Sequence, residues 1–261
     1  MKLKDKDNTA WQKYAAGAIS IVCFLIIWQL VVSFTRVGLV MVGPIEVIKS
    51  FCSAFVSPIG RNTIQSHIVW SMTRVMIGFF MGSILGIVLG ICMGWNKNVE
   101  SFFRPLFELI RPIPPIAWIP LSIVWLGTGE SSKYFIIFLG AFFPIVTSSI
   151  HGVSTVPKQL VESARVLGAD EWFIFRKILL PAAGPTIVNG LRTGLGVAWT
   201  CLVSAEMLPG SLSGVGYMIM HAYEIARVDV VMAGMISIGV TGALLDYLFR
   251  IAERKKFSWK R

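Results

Sequence analysis

Long apolar runs alternate with short polar or glycine- and proline-bearing segments along this chain. Six of the runs, 15–34, 67–94, 106–127, 134–152, 187–207 and 228–249, reach the length of a membrane crossing. A hydrocarbon core takes about 20 apolar residues per helix, so the pattern predicts an all-α membrane protein with six transmembrane helices and both termini on one face. The segment 36–62 is too short of apolar residues to cross and holds Gly43, Pro44, Pro58 and Gly60. Within it Ile45, Ile48, Phe51 and Phe55 recur at helical spacing, which predicts a short helix on the membrane surface.

Between the fourth and fifth runs the pattern breaks. Residues 162–181, ESARVLGADEWFIFRKILLP, are polar and charged although crossings flank them on both sides. Pro157 suits the first turn of a helix, and Gly168 suits the left-handed residue just past its end. Asp170 can cap a second helix, Glu171 complements its macrodipole, and Pro181 is expected to stop it. Leu160, Val161, Ala164 and Leu167 make an apolar face on the first helix; Trp172, Phe175, Ile178 and Leu179 make one on the second. The expectation is a helical hairpin that projects from one membrane face and docks on a partner.

Composition excludes an ordinary soluble domain: 55% of the residues are hydrophobic, 15% are charged and the mean hydropathy is +0.70. The first run exceeds the roughly 7–15 apolar residues of a secretory signal and leads into Ser-Phe-Thr-Arg, so it is read as a retained helix. Lys and Arg near helix ends are held on the cytoplasmic side. With the N-terminus inside, the inner segments carry Lys2, Lys4, Lys6, Lys13, Lys97, Arg104, Lys158, Arg165, Arg176, Lys177, Arg250, Arg254, Lys255, Lys256, Lys260 and Arg261. The outer segments carry only Arg36, Lys49, Arg61 and Arg227. The net charge of +10 is thus an orientation signal that calls for no nucleic-acid partner, and the hairpin falls on the cytoplasmic face.

Inside the crossings, Gly78, Gly82, Gly86, Gly90 and Gly94 recur every four residues and share one face. Lipid supplies no hydrophobic drive for helix association, so such a stripe serves close backbone approach. Pro112, Pro114, Pro115 and Pro120 interrupt the third crossing, which is tolerated where protein or a watery cavity satisfies the freed carbonyls. Arg74 and Arg192 lie toward helix ends and are expected to snorkel to headgroups. Glu108 with Arg111, and Asp246 with Arg250, have the spacing of local ion pairs. Cys23, Cys52, Cys92 and Cys201 show no pairing pattern, and His67, His151 and His221 show no metal spacing and are read as ordinary interfacial histidines. No phosphate-cradling loop, H-E-x-x-H or G-x-S-x-G occurs, so the chain is not read as an enzyme.

The hairpin resembles the cytoplasmic loop signature of ABC-transporter permeases of the binding-protein-dependent import class: E-A-A, three residues, Gly, nine residues, I-x-L-P. Here Glu162, Ser163 and Ala164 are followed by Gly168, Ile178, Leu180 and Pro181, with Ser163 the one departure. The likeness covers nearly the whole chain from the first crossing onward. Residues 105–133 and 228–239, and Ala205-Glu206-Met207 with Gly214-Val215-Gly216-Tyr217, are similar to the nitrate, sulfonate, taurine and bicarbonate branch, closest to taurine and sulfonate permeases.

This resemblance implies a type I ABC importer permease fold in a bacterial inner membrane. Its divisions would be an N-terminal segment at residues 1–62, a transmembrane domain at 63–250 with the coupling loop 154–182, and a basic tail at 251–261. It further implies a permease homodimer, two ATPase subunits that bind ATP and Mg, and an external substrate-binding protein; no cofactor is expected on this chain. Glu162, Ser163, Ala164, Arg165, Gly168, Ile178, Leu180 and Pro181 would serve ATPase coupling. For an anionic cargo, Arg111, Pro114, Pro115, Trp118 and Glu206 are the pathway candidates, with Arg111 a charged waypoint and Glu206 structural or gating. The competing reading is a self-sufficient secondary transporter or channel, which has no use for a docking hairpin.

Overall fold

The structure, a computed structural model, describes residues 4–60 and 62–256. Lys2, Arg61, Lys260, Arg261 and the last five residues of the expected basic tail lie outside the described residues. The helices are α1 (Lys4–Phe34), α2 (Pro44–Ser53), α3 (Ile64–Trp95), α4 (Lys97–Ile110), α5 (Ile119–Leu126), α6 (Glu130–Ser154), α7 (Lys158–Val166), the single turn α8 (Glu171–Phe173), α9 (Leu180–Glu206), α10 (Val215–Glu224) and α11 (Val228–Lys256). Four of them, α1, α3, α6 and α11, are individually long and apolar enough to cross a bilayer. The proline-bearing third crossing is a pair, α4 and α5, bent by 82° around a 3-10 turn at Pro115–Trp118. The remaining crossing, α9, has 27 residues, about 40 Å of helix, but it is less apolar than the others.

Glycine sets the core. The five stripe positions of α3 meet α6 in a single register: Gly78 faces Ile137, Gly82 faces Ala141, Gly86 faces Ile145, Gly90 faces Ser149 and Gly94 faces Val153. Both series rise together, so α3 and α6 run parallel. On the other side of α6, Gly152 meets Ala183, Gly190 meets Ser148, Gly194 meets Ile145 and Gly140 meets Ala198 and Cys201. One number rises as the other falls, so α9 runs antiparallel to α6. These directions are the ones six alternating crossings require, and they follow from packing alone, independent of the charge count. Ile145, fully buried, fills the space above Gly86 on one side and Gly194 on the other. A side chain at any of these glycines would push the backbones apart and forfeit the dispersion contacts that hold helices together in lipid.

Two expectations need correction. The inner loop expected between the second and third crossings is a single residue: Asn96 ends α3 and caps α4, its Oδ1 accepting from the amides of Asn98 (2.8 Å) and Val99 (3.4 Å). The short helix expected in the 36–62 connector is present as α2, packed against α11. It buries Val47, leaves Ile45 and Ile48 exposed, and donates from Ser50 Oγ to Asp229 of α11 (2.5 Å), because α11 offers it a packing surface. A further short helix, α10, fills a stretch for which the apolar pattern predicts no element; its Val215, Met218 and Ile219 join Ala54 and Ile64 in a small core at the outer end of the bundle.

Candidate functional site

The hairpin between α6 and α9 is built by its caps. At the end of α7, Gly168 takes φ +85°, its amide donates to the Arg165 carbonyl (3.0 Å), and the Ala169 amide donates back to Ala164 (3.0 Å). That pair of bonds satisfies the last carbonyls of α7 and reverses the chain. Asp170 then accepts from the Phe173 amide (3.1 Å) as the cap of the next turn. Across the bend, Arg165 Nε donates to Glu171 (2.8 Å), a hydrogen bond that raises the guanidinium pKa further. Arg165, expected as a contact for a partner, also closes the turn, and about half of its side chain, 52%, stays exposed.

Pro181 does not stop the second helix. Residues Ile174–Leu179 form a π turn that runs without interruption into α9. A π turn pairs carbonyls with amides five residues on, which carries the bonding past the amide that proline lacks. The extra residue also shifts the apolar face. Ile174 and Leu179 are buried, Phe175 and Ile178 are not fully buried, and Trp172 is 65% exposed. Trp172 stacks on Phe175 (5.9 Å between ring centroids), which meets Trp95 at the inner end of α3 (6.0 Å). Leu179, Val153, Ala183 and Ile187 complete a core beneath the hairpin. The base is therefore fastened to α3, α6 and α9 together.

The tip is the opposite in character. Glu162, Ser163, Arg165 and Gly168 lie on the surface, while Ala164 is buried under them and Ile178 and Leu180 sit half-buried at the base. Val166 and Leu167 are 88% and 87% exposed. Leu167 is expected on the anchoring face and Val166 on none, yet both point outward. Leu160 and Phe173 of the same hairpin are also exposed.

At the other end of the bundle the structure assembles a polar cluster invisible in sequence. Arg74 does not snorkel: it is 2% exposed, and all five of its N–H donors are used. Nε and Nη2 make a bidentate pair with Glu130 (2.5 and 2.8 Å), Nη1 donates to Glu206 (2.8 Å), and the rest reach the Ser213 carbonyl and hydroxyl (2.8 Å each). Lys133 donates to Glu130 (3.0 Å), so two cations balance two carboxylates. Glu206, fully buried, also accepts from Ser71 and from the Gly216 amide (3.1 Å). His67, expected at the interface, is fully buried; its Nδ1 accepts from the Gly214 amide (3.1 Å) and its Nε2 donates to the Ile59 carbonyl (3.0 Å). Gly214 and Gly216 lie so close to the Glu206 side chain that no larger residue fits. The cluster locks the outer ends of α3, α6 and α9 to the 207–214 connection, a structural place for Glu206.

Halfway along the bundle lies a cavity of about 370 Å³ lined by Arg111, Pro115, Gly140, Pro144, Ser148 and Thr193 among others. Glu108 is not the partner of Arg111. Arg104 takes it, together with Glu100, at 2.9 and 2.7 Å. Asp246 accepts from Arg250 as expected, but also from Arg192 (2.6 Å), which therefore pairs and does not snorkel. Trp118 packs between the two apolar clusters around Phe143 and Ile136, and Pro114 precedes the 3-10 turn at the surface.

Known proteins match this architecture. The family described as binding-protein-dependent transport system inner membrane component covers residues 78–258. A Methanocaldococcus jannaschii protein provisionally named an ABC transporter permease is 44% identical over 91% of this chain and 89% of its own length. The taurine transport system permease protein of Escherichia coli is 34% identical over 90% and 86%. Among solved structures, the inward-facing MetNI methionine ABC transporter aligns with a TM-score of 0.56 at 24% identity, over 72% of this chain and 91% of that one, a likeness of fold. The family match over residues 78–258 and these relatives place the chain in the family of inner membrane components of binding-protein-dependent transport systems, as an ABC transporter permease.

Proposed function

We propose that this permease works as a homodimer, coupled through the 157–181 hairpin to two separate ATPase subunits and fed by an external binding protein, to import a small anion of the sulfonate class. The observation that carries the coupling role is the contrast within the hairpin: an exposed apolar tip at Val166 and Leu167 on a base fixed to three crossings. Force applied at such a tip moves the base and the crossings as one body, since packed cores do not deform continuously. ATP and Mg belong to the partner ATPase, and this chain supplies the lever and the path. The substrate class is supported by the taurine permease among the relatives.

The test replaces Glu162 and Gly168 separately in the assembled transporter and follows ATPase co-purification and uptake. The reading predicts loss of both; undiminished binding and uptake in both variants would refute it. A thermal-shift screen of the partner binding protein against taurine, alkanesulfonates, nitrate and bicarbonate identifies the cargo.

A further inference from the structure

The crossing that is least apolar, α9, carries its polar residues in a line. Asn189, Thr193, Gly196 and Thr200 are all exposed, and they fall on one face because residues three and four apart share it. A polar face on a spanning helix does not turn to hydrocarbon; it lines water or protein. Thr193 is the middle residue of α9, and it opens onto the 370 Å³ cavity at the level of Gly140–Ser148, the middle of α6. A wider, open groove of about 530 Å³ continues along the same face and shares Thr193 and Val197 with that cavity. Pro144 has no amide hydrogen, so the Gly140 carbonyl one turn earlier on this wall has no helical donor at that position.

Charge gives this place its selectivity. Arg192, which lines the groove, is neutralised by Asp246 at 2.6 Å. Arg111 ends α4 at the 82° break and, among the described residues, has no carboxylate partner. The Ser148 hydroxyl on the same wall makes no hydrogen bond to another described residue, and Thr193 Oγ1 donates only to the Asn189 carbonyl of its own helix (3.1 Å), a bond that rotation releases.

We propose that Arg111, Ser148 and Thr193 form a mid-membrane binding station for a small oxyanion, in which the guanidinium supplies charge and the two hydroxyls supply directed hydrogen bonds. This deepens the importer reading and rests on it for the identity of the cargo as a sulfonate. The station is a charged foothold at the break of the third crossing, where an anion leaving the outer side replaces water contacts before passing down the α9 stripe. It binds weakly by design, because a cation open to water on one side keeps most of its hydration.

The experiment uses the complete transporter in proteoliposomes, with Cys23, Cys52, Cys92 and Cys201 replaced by serine and Thr193→Cys introduced. Two methanethiosulfonate reagents of similar size, one bearing a sulfonate and one a quaternary ammonium, are compared. Thr193→Cys is expected to react with both, and the anionic-to-cationic rate ratio is expected to fall by up to about tenfold when Arg111→Gln is added, the effect that one unit charge exerts across roughly 6 Å of water on oppositely charged reagents. Arg111→Lys keeps the ratio, and Arg111→Gln lowers uptake of taurine or nitrate while ATPase activity stimulated by the binding protein persists. An unreactive Thr193→Cys, or a ratio indifferent to Arg111, overturns the station. If the ratio responds to Arg111 while the intact transporter moves no sulfonate, nitrate or bicarbonate, the station stands and the cargo assignment falls.

Discussion

Removing Arg74 exposes how the outer end of the bundle is held. Arg74→Met deletes five hydrogen bonds, three of them to carboxylates, and leaves Glu206 fully buried with only Ser71 and the Gly216 amide. Breaking a buried pair from one side strands the other charge, at a cost of about 3–5 kcal/mol. Glu206→Gln keeps the shape but points an amide donor at Arg74 or at the Gly216 amide, where only an acceptor fits, so it belongs in the same range. At about 2–4 °C per kcal/mol for a chain of this size, each single variant should lower the unfolding midpoint in detergent by roughly 10 °C. The double variant removes both charges, and its loss should fall short of the sum by more than about 1 kcal/mol, as groups in one network do. Fluorescence-monitored unfolding of the four proteins gives the cycle. Single variants within about 2 °C of wild type, or strictly additive losses, would refute the network as a structural lock.

The glycine seam and the hairpin give further tests. In Gly82→Val the added Cβ lies 2.8 Å from Ala141 Cβ and 3.0 Å from the Phe138 carbonyl, an overpacking worth about 1–3 kcal/mol; survival on heating should drop, and Ala141→Gly should restore part of it. Gly168 has open space around it and φ +85°, so substitution there costs only conformation, about 1–2 kcal/mol; uptake should fall in the order Gly, Asn, Ala, Val, with thermal midpoints of the bundle unchanged. Arg165→Ala removes an exposed bridge to Glu171 that solvent screens; the midpoint should stay put while ATPase co-purification declines, and a stability loss without a docking loss would contradict the assignment.

α1, α3, α6 and α11 are legible in the sequence because each is a long apolar run, and the hairpin turn is legible because its signals are local: Gly168, Asp170 and their neighbours act within a few residues. What escapes is non-local or geometric. Arg74 and Glu206 are 132 residues apart, and nothing in either neighbourhood announces the other, so Arg74 reads as a snorkelling end residue. Glu108 sits three residues from Arg111 and four from Arg104, and spacing alone does not say which arginine it chooses. Pro181 carries a stop signal that the π turn cancels, and the same turn moves Ile174 inward and Trp172 outward. The glycine stripe tells that a helix packs there; its partner, α6, and the parallel direction become visible only in the packed structure. The polar line on α9 is present in the sequence as Asn189, Thr193 and Thr200, but its weight depends on the exposure of that face.

The coupling role of the hairpin is tested most directly by placing a photo-crosslinking amino acid at Leu167, which is 87% exposed at the tip, and irradiating the assembled transporter in inverted membrane vesicles. The lever predicts an adduct between this chain and the ATPase subunit, absent when the crosslinker is moved to Val124 on α5, which is similarly exposed but lies within the crossing. An adduct with the external binding protein at Leu167, or none with the ATPase, would contradict it.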